Sequence, residues 1–379
     1  MKRMTNNRCL SLYVHAPFCR SKCPYCAFYS FAPRSGQMER WLACLAAELE
    51  TIKSGLGEGE SFSTVYIGGG TPSYLPLALW RKLLGALGKV PREPACEFTV
   101  EANPESVDEE KLALWKDFGV TRVSVGVQSL DDRELKTMAR PHDSAQALRI
   151  LELCMKKGFR VSADLIFGLP RQTLRRWHES MSKLVAEGVT HLSVYQLMIE
   201  DGSFWGRCRP SGLPDGYPMY RWAQYYLPRQ GLKQYEIASF AVPGFESRHN
   251  RAYWKRSDVY AAGPAAWGFL GGVRFANCRS LARWAERIEN GQSPVEFREK
   301  LSAAQEASEA AILALRTSEG IHFEEFAARY GKRWLDAITK RLRALPEADF
   351  VWSGNGVALS PRGMRVGNSI WTELMDLER

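Results

Sequence analysis

Three cysteines, Cys19, Cys23 and Cys26, crowd into one short stretch near the start of the chain, HAPFCRSKCPYCAFYS. Their spacing is C-x3-C-x2-C. Thiolates this close bind soft metal ions or iron–sulfur clusters. A structural zinc site wants four ligands, usually as two separated pairs, and a redox dithiol wants a single C-x2-C in a different setting. Three cysteines on a 4Fe–4S cluster leave one iron without a protein ligand. That iron can accept a small chelating molecule, so the missing fourth cysteine is itself the useful feature.

Further chemistry-bearing residues sit at the ends of predicted strands: the run Gly68-Gly69-Gly70, then Glu101, Gln128, Asp164, Tyr195 and Gln196. The strands are SLYVH, STVYI, EFTVEAN, RVSVGVQS, RVSADLIFG and HLSVYQLMI. Helical patterns lie between them, from MERWLACLAAELETI to TLRRWHESMSKLVAEG. Six alternating strand–helix units predict a parallel sheet with helices packed outside it. Six are too few for a full eight-fold barrel, so the expectation is a partial (β/α)6 barrel, with chemistry at the C-terminal ends of its strands. In RVSVGVQS, Val123, Val125 and Val127 share one face and Ser124, Gly126 and Gln128 the other. The valines suit packing on helices; the polar face is poor core and suits a ligand. Glu101 and Asn103 likewise share a face. Several acids at strand ends, costly to bury without partners, point to a polar ligand among them.

The chain has 379 residues, 45% hydrophobic and 25% charged, an ordinary soluble globular composition with room for two or three domains. The formal net charge is +9. That mild excess mostly describes a solvated basic surface, and it is compatible with anionic ligands or with peripheral membrane contact. No run has the apolar length of a membrane span, and the basic start is broken by His15 and Pro17, so it does not read as a signal peptide. The expected location is the cytoplasm. Nine cysteines, an odd and scattered set, do not form a disulfide framework. Cys9, Cys44, Cys96, Cys154, Cys208 and Cys278 are expected as small core or surface residues. After residue 200 the pattern changes, through RCRPSGLPDGYP to an aromatic-rich stretch and then a helical end. The expected division is 1–225, the barrel core; 226–300, an aromatic-rich segment; and 301–379, a small C-terminal helical, winged-helix-like domain.

With the triplet on the loop after the first strand and GGGTPS after the second, the chain resembles the radical S-adenosylmethionine superfamily. There the amino and carboxylate groups of S-adenosylmethionine chelate the open iron, and reductive cleavage makes a 5′-deoxyadenosyl radical. The likeness extends along nearly the whole chain through EANPES, VSVGVQSLDDRELKTMARPH, DLIFGLPRQT, SVYQL, YEIASFA and HNRAYW. Together these resemble the oxygen-independent coproporphyrinogen III oxidases and their relatives, the HemW-type haem chaperones. The resemblance implies a 4Fe–4S cluster on Cys19, Cys23 and Cys26. It implies S-adenosylmethionine contacts at Tyr13, Gly69, Gly70, Thr71, Glu101, Gln128, Arg140 and Asp164, with Tyr25 inside the cysteine loop. Arg140 suits a carboxylate, and Glu101, Gln128 and Asp164 can accept from ammonium or ribose hydroxyls.

The oxidase branch places one more cysteine two positions after the third; here Phe28 stands there. The chaperone branch carries H-N-x-x-Y-W, complete here as His249, Asn250, Tyr253 and Trp254. Imidazole binds iron and aromatic faces cover a macrocycle, so these four are expected at haem, though the motif also reads as a structural corner. The chain departs from the family at Trp267, where Gly-Pro-Ala-Ala-Trp replaces the usual ending in histidine, and at Ser239 and Ala27. The leading expectation is a haem-binding chaperone that passes haem or another tetrapyrrole to client proteins. The alternative is a radical enzyme of porphyrin metabolism, either coproporphyrinogen oxidation or a radical methylation. The helical end lacks an Arg- and Lys-rich recognition helix, so no nucleic-acid partner is expected; it reads as structural, or as a cover over the barrel mouth.

Overall fold

A computed structural model describes residues 9–377. The first six strands are β1 (Leu10–Ala16), β2 (Phe62–Gly69), β3 (Arg92–Ala102), β4 (Arg122–Gln128), β5 (Arg160–Phe167) and β6 (His191–Gln196). They lie in sequential order and run parallel, as the strand–helix alternation requires. Register explains the two faces. Val14 pairs with Ile67, Ile67 with Val100, Val100 with Val123 and Val123 with Val161. This buried apolar row meets the helices outside. The neighbouring row, Tyr13, Tyr66, Thr99 and Arg122, faces the lumen and is polar throughout.

The outer helices bury one apolar stripe each. Gln37–Ser54 contributes Trp41, Leu45 and Leu49; Leu77–Leu87 contributes Trp80 and Leu83; Glu109–Asp117 contributes Leu112 and Trp115. Trp80 and Trp115 meet edge to face with ring centroids 5.0 Å apart, binding adjacent helices together.

The segment 226–300 joins the same sheet at both edges. β7 (Lys233–Gln234) and β8 (Ser239–Ala241) add antiparallel strands beside β6. β9 (Val259–Ala262) pairs parallel with β1, setting Ala261 against Tyr13, so the parallel run has a seventh member that the strand–helix alternation does not announce. β10 (Trp267–Leu270), β11 (Val273–Asn277) and β12 (Val295–Lys300) continue it as an antiparallel extension. The sheet does not close, so the barrel is partial.

The C-terminal unit runs helix, strand, two helices and hairpin, with β13 (Ile321–His322), β14 (Phe350–Trp352) and β15 (Gly356–Leu359) ordered β13-β15-β14. This is a winged-helix order around a core of its own that includes Leu315, Ile338, Leu342 and Leu374. Ile237 N–H donates to the Arg316 carbonyl at 2.8 Å, Ser318 N–H to the Tyr235 carbonyl at 3.0 Å, and Arg256 pairs with Glu309 at 3.1 Å. Tyr235 in turn hydrogen-bonds His191, the first residue of β6, at 2.8 Å. The unit therefore docks on the segment 235–256 at the flank of the sheet. β9 enters beside the start of β1, so the chain just before it, including Arg256, is held at that end. No helix among the described residues is long and apolar enough to cross a membrane.

Replacing Trp80, which is fully buried, by alanine removes the Trp115 contact and leaves a cavity. The expected cost is about 3–5 kcal/mol, read as a lowered urea midpoint, whereas Cys9→Ser at an exposed site should leave the midpoint where it is.

Candidate functional site

The cysteine loop is clamped at its base. Cys19 N–H donates to the Phe31 carbonyl at 3.0 Å and Phe31 N–H to the Pro17 carbonyl at 2.9 Å. Phe18 is fully buried between Phe31 and Trp41, with centroids 5.7 and 5.6 Å away. Within the loop, Cys26 N–H bonds the Cys23 carbonyl at 3.1 Å, and Lys22 Nζ donates to the Phe28 carbonyl at 2.8 Å. The glycine run docks alongside: Gly70 N–H reaches the Ala16 carbonyl and Thr71 N–H the Phe18 carbonyl, each at 2.8 Å. A Cβ on Gly70 would lie 2.7 Å from the Phe18 oxygen, so only glycine allows this approach.

A hydrogen-bonded chain links two of the three thiols. Cys19 Sγ lies 3.5 Å from Thr71 Oγ1. Asn103 Nδ2 donates to Thr71 Oγ1 at 3.0 Å. Arg140 donates from Nη2 to Asn103 Oδ1 at 2.7 Å and to the Gly126 carbonyl at 3.0 Å, and from Nη1 to Cys23 Sγ at 3.5 Å. Arg140 forms no ion pair of its own among the described residues, and its buried Nε has no partner. A buried guanidinium without a carboxylate is costly unless an anion joins it. Burial pushes the Cys19 and Cys26 thiols up from their usual range. Among the described residues no three His, Cys, Asp or Glu side chains converge on one ion position. Separate irons of a cluster each take one sulfur and need no such convergence, so this donor set fits a cluster better than a single ion.

Glu101 stands at the end of β3, accepting from Tyr66 OH at 2.7 Å and from Gly69 N–H at 3.0 Å. Burial pushes its carboxyl up to about 7, against the pull of those donors. Asp164, midway along β5, accepts from Ser124 Oγ at 3.2 Å; burial raises it too. Arg122 below them, itself buried, draws both carboxyls back down. Gln128 sits in a bulge at φ 66 where β4 slips against β5, and its amide crowds the space above Gly126. Tyr25 packs on Trp205 at 5.9 Å. Glu101 and Asp164 thus share the influence of Arg122, while Gln128, Asn103 and Arg140 meet around Gly126.

The H-N-x-x-Y-W motif does not gather. His249 is 1% exposed. Thr64 gives its hydroxyl proton to Ser11, so it accepts from His249 Nδ1 at 2.7 Å; His249 Nε2 then accepts from Tyr253 OH at 3.3 Å. Burial lowers this imidazole to about 3. Both nitrogens are engaged, so His249 is not poised as the iron ligand its sequence context suggests; it plugs the lumen and stacks on Tyr66 at 4.9 Å. Asn250 is half-buried on the same short helix, its N–H taken by the Ser247 cap at 3.2 Å. Trp254 turns toward the C-terminal unit, 5.0 Å beneath Arg316. Only Tyr253 reaches a cavity that adjoins the cysteine loop.

That cavity, about 670 Å3, is walled by Ala27–Tyr29 of the loop, by Tyr13 and Tyr253, and by Trp267, Asn277, Arg279 and Phe297. Phe28 is 72% exposed, Trp267 52% and Phe297 41%. Sequence reasoning missed this wall, and also Asn103 as a link, although EANPES contains it. It missed Glu48 as well, whose buried carboxylate accepts from Gly263 N–H at 2.7 Å, Asn277 Nδ2 at 2.7 Å and Trp284 Nε1 at 3.2 Å. An acid on the apolar stripe of its helix was the available signal.

The description "Radical SAM superfamily" matches residues 13–184, and "HemN C-terminal domain" matches 301–366. The Heme chaperone HemW of Bacillus subtilis is 31% identical over 371 residues, covering 95% of this chain and 98% of that protein. The protein of the same name from Escherichia coli is 35% identical over 266 residues, covering 68% and 70%. Among solved structures, the radical SAM coproporphyrinogen III oxidase HemN of E. coli superposes with a TM-score of 0.85 at 20% identity, covering 97% of this chain and 90% of that one; at that identity the likeness is one of fold.

Asn103→Ala should strip Thr71 of a donor and Arg140 of its shortest acceptor. The expected loss is about 1–3 kcal/mol, measured by urea unfolding of the metal-free protein, with Asn103→Asp recovering part of it through Arg140.

Proposed function

The chain belongs to the HemW-type haem chaperone family of the radical SAM superfamily, and from that premise we propose that it holds a 4Fe–4S cluster, binds S-adenosylmethionine, and accepts haem for delivery to client proteins. The single observation behind the haem assignment is that the aromatic cavity and the cysteine loop share the residues Ala27–Tyr29. Cys19, Cys23 and Cys26 would hold the cluster, which when bound supplies one-electron chemistry and an open iron position.

The protein's own residues do the rest. Arg140 offers its unpaired Nε and its positive charge to a carboxylate at the mouth. Gly69 and Gly70 keep the backbone of the second loop within reach of a ligand because neither carries a side chain. Glu101 and Asp164 accept from an ammonium or from hydroxyls, and Gln128, set by its bulge, adds an amide beside Arg140. Tyr13, stacked on Tyr66 at 6.1 Å, stands between this mouth and the aromatic cavity. Phe28, where oxidases of this family carry cysteine, contributes an apolar face to the cavity instead of a thiol.

Anaerobic reconstitution should yield one 4Fe–4S cluster, and the triple alanine variant at Cys19, Cys23 and Cys26 should show none of its absorbance. S-adenosylmethionine affinity should fall with pH. Glu101 in the free protein takes a proton below about pH 7 and must lose it to accept from the ligand, so the dissociation constant rises toward tenfold per pH unit below that point. Calorimetry at pH 8 and pH 6 checks this, with Glu101→Gln expected to bind weakly and with little pH dependence. Haem titration should give a saturable Soret change, while coproporphyrinogen incubated with the reduced, cluster-loaded protein should remain unconverted; product formation with consumption of S-adenosylmethionine would make the protein an oxidase.

A further inference from the structure

Resting on the reading of this cavity as the tetrapyrrole site, we propose that it grips the macrocycle by its face and its carboxylate edge and puts no protein atom on the metal. Metal-free protoporphyrin should then bind as haem does.

The nearby imidazoles and phenols, the side chains apt to ligate a haem iron, are all engaged or held neutral. His15 donates from Nε2 to the Tyr29 carbonyl at 3.0 Å. A carbonyl only accepts, so the proton is on Nε2 and the lone pair on Nδ1, and that lone pair takes the Tyr13 hydroxyl at 3.0 Å. The second nearby imidazole, His249, is engaged at both nitrogens by Thr64 and Tyr253. The phenols of Tyr13, Tyr29 and Tyr253 are held neutral, since burial pushes each above its usual range. No cysteine or methionine stands among the described residues of the wall.

What the wall offers instead is contact area and one free charge. Trp267 and Phe297 meet at 5.4 Å with their planes 53° apart, forming a corner against which a flat ring can stack. Phe28 and Tyr253 rise from the loop and helix sides. Large exposed aromatic faces beside a cavity suit a planar apolar ligand. Arg279 at the rim, 5.9 Å from the Tyr29 ring centroid, has no acid partner among the described residues, and a guanidinium there suits a propionate. The rim acid, Glu296, is already paired with Arg283 at 2.8 Å, so it does not repel one.

The test is a parallel fluorescence-quenching and absorbance titration of the full chain with haem and with metal-free protoporphyrin IX. The two dissociation constants should agree within about threefold. Trp267→Ala and Arg279→Gln should each weaken both ligands by tenfold or more, while His249→Gln and His15→Gln, checked for unchanged melting, leave the haem spectrum as it was. Trp267→His, which brings an unengaged imidazole to the wall, should weaken protoporphyrin, leave haem the tighter ligand by tenfold or more, and shift the haem spectrum to that of an imidazole complex. Haem at least tenfold tighter than protoporphyrin in the wild type, with an imidazole-type spectrum lost in His15→Gln or His249→Gln, would overturn the inference and leave haem binding intact. Binding of either ligand indifferent to both Trp267→Ala and Arg279→Gln, or no binding at all, would remove the cavity as the site and the inference with it.

Discussion

Arg140 is the charge around which the mouth of the barrel is arranged. It is buried, has no carboxylate in ion-pair contact among the described residues, and reaches Cys23 on one side and Asn103 on the other. Through Asn103 and Thr71 it is tied to Cys19. The loop after β1 and the ends of β2, β3 and β4 are thereby fixed to one another by hydrogen bonds that need every link. A guanidinium in such a place costs free energy unless anions gather on it, and the thiols nearby ionise only reluctantly because they too are buried. Both demands are met together if thiolates and an anionic ligand arrive with a metal cluster.

The lumen below repeats this logic in weaker form. Its strands turn Ser, Thr, Tyr and His inward because the opposite faces are consumed by helices, and most inward groups find a partner on the next strand or on the segment 235–254, with Thr99 Oγ1 and Arg122 Nη1 as exceptions. His249 belongs to this inner lattice. Its position completes the chain Ser11–Thr64–His249–Tyr253, so that the imidazole holds the tyrosine that faces the cavity. A residue whose type suggests iron ligation is thus engaged in positioning.

The cavity wall depends on a different anchor. Glu48 collects the N–H of Gly263, the amide of Asn277 and the indole of Trp284, pinning the turn before β10 and the end of β11 to the first helix. Gly263 has φ 95, and a Cβ there would lie 2.5 Å from the His15 carbonyl, so the turn can press against β1 only as glycine. Trp267 follows four residues on, and its exposed ring is carried out over the cysteine loop.

Much of this was legible along the chain. Local patterns alone specify β1 to β6 and the helices between them, because alternation of apolar residues and helical periodicity are properties of neighbours in sequence. The glycine run, Glu101 and Asp164 were legible for a related reason: neighbouring strands of a parallel sheet point the same way, so knowing the strands brings their later residues together; the cysteine triplet was legible from its spacing, and Arg140 only through the family resemblance. Other features depend on which distant surfaces touch. Periodicity does not reveal that Val259–Ala262 runs beside β1, that the C-terminal unit docks on the segment 235–256, or that Trp267, Phe297 and Phe28 line one cavity. Nor does residue type tell whether a histidine lone pair is free. For His15 and His249 that was decided by a backbone carbonyl, a threonine and two tyrosines, brought within hydrogen-bonding distance only when the chain had folded.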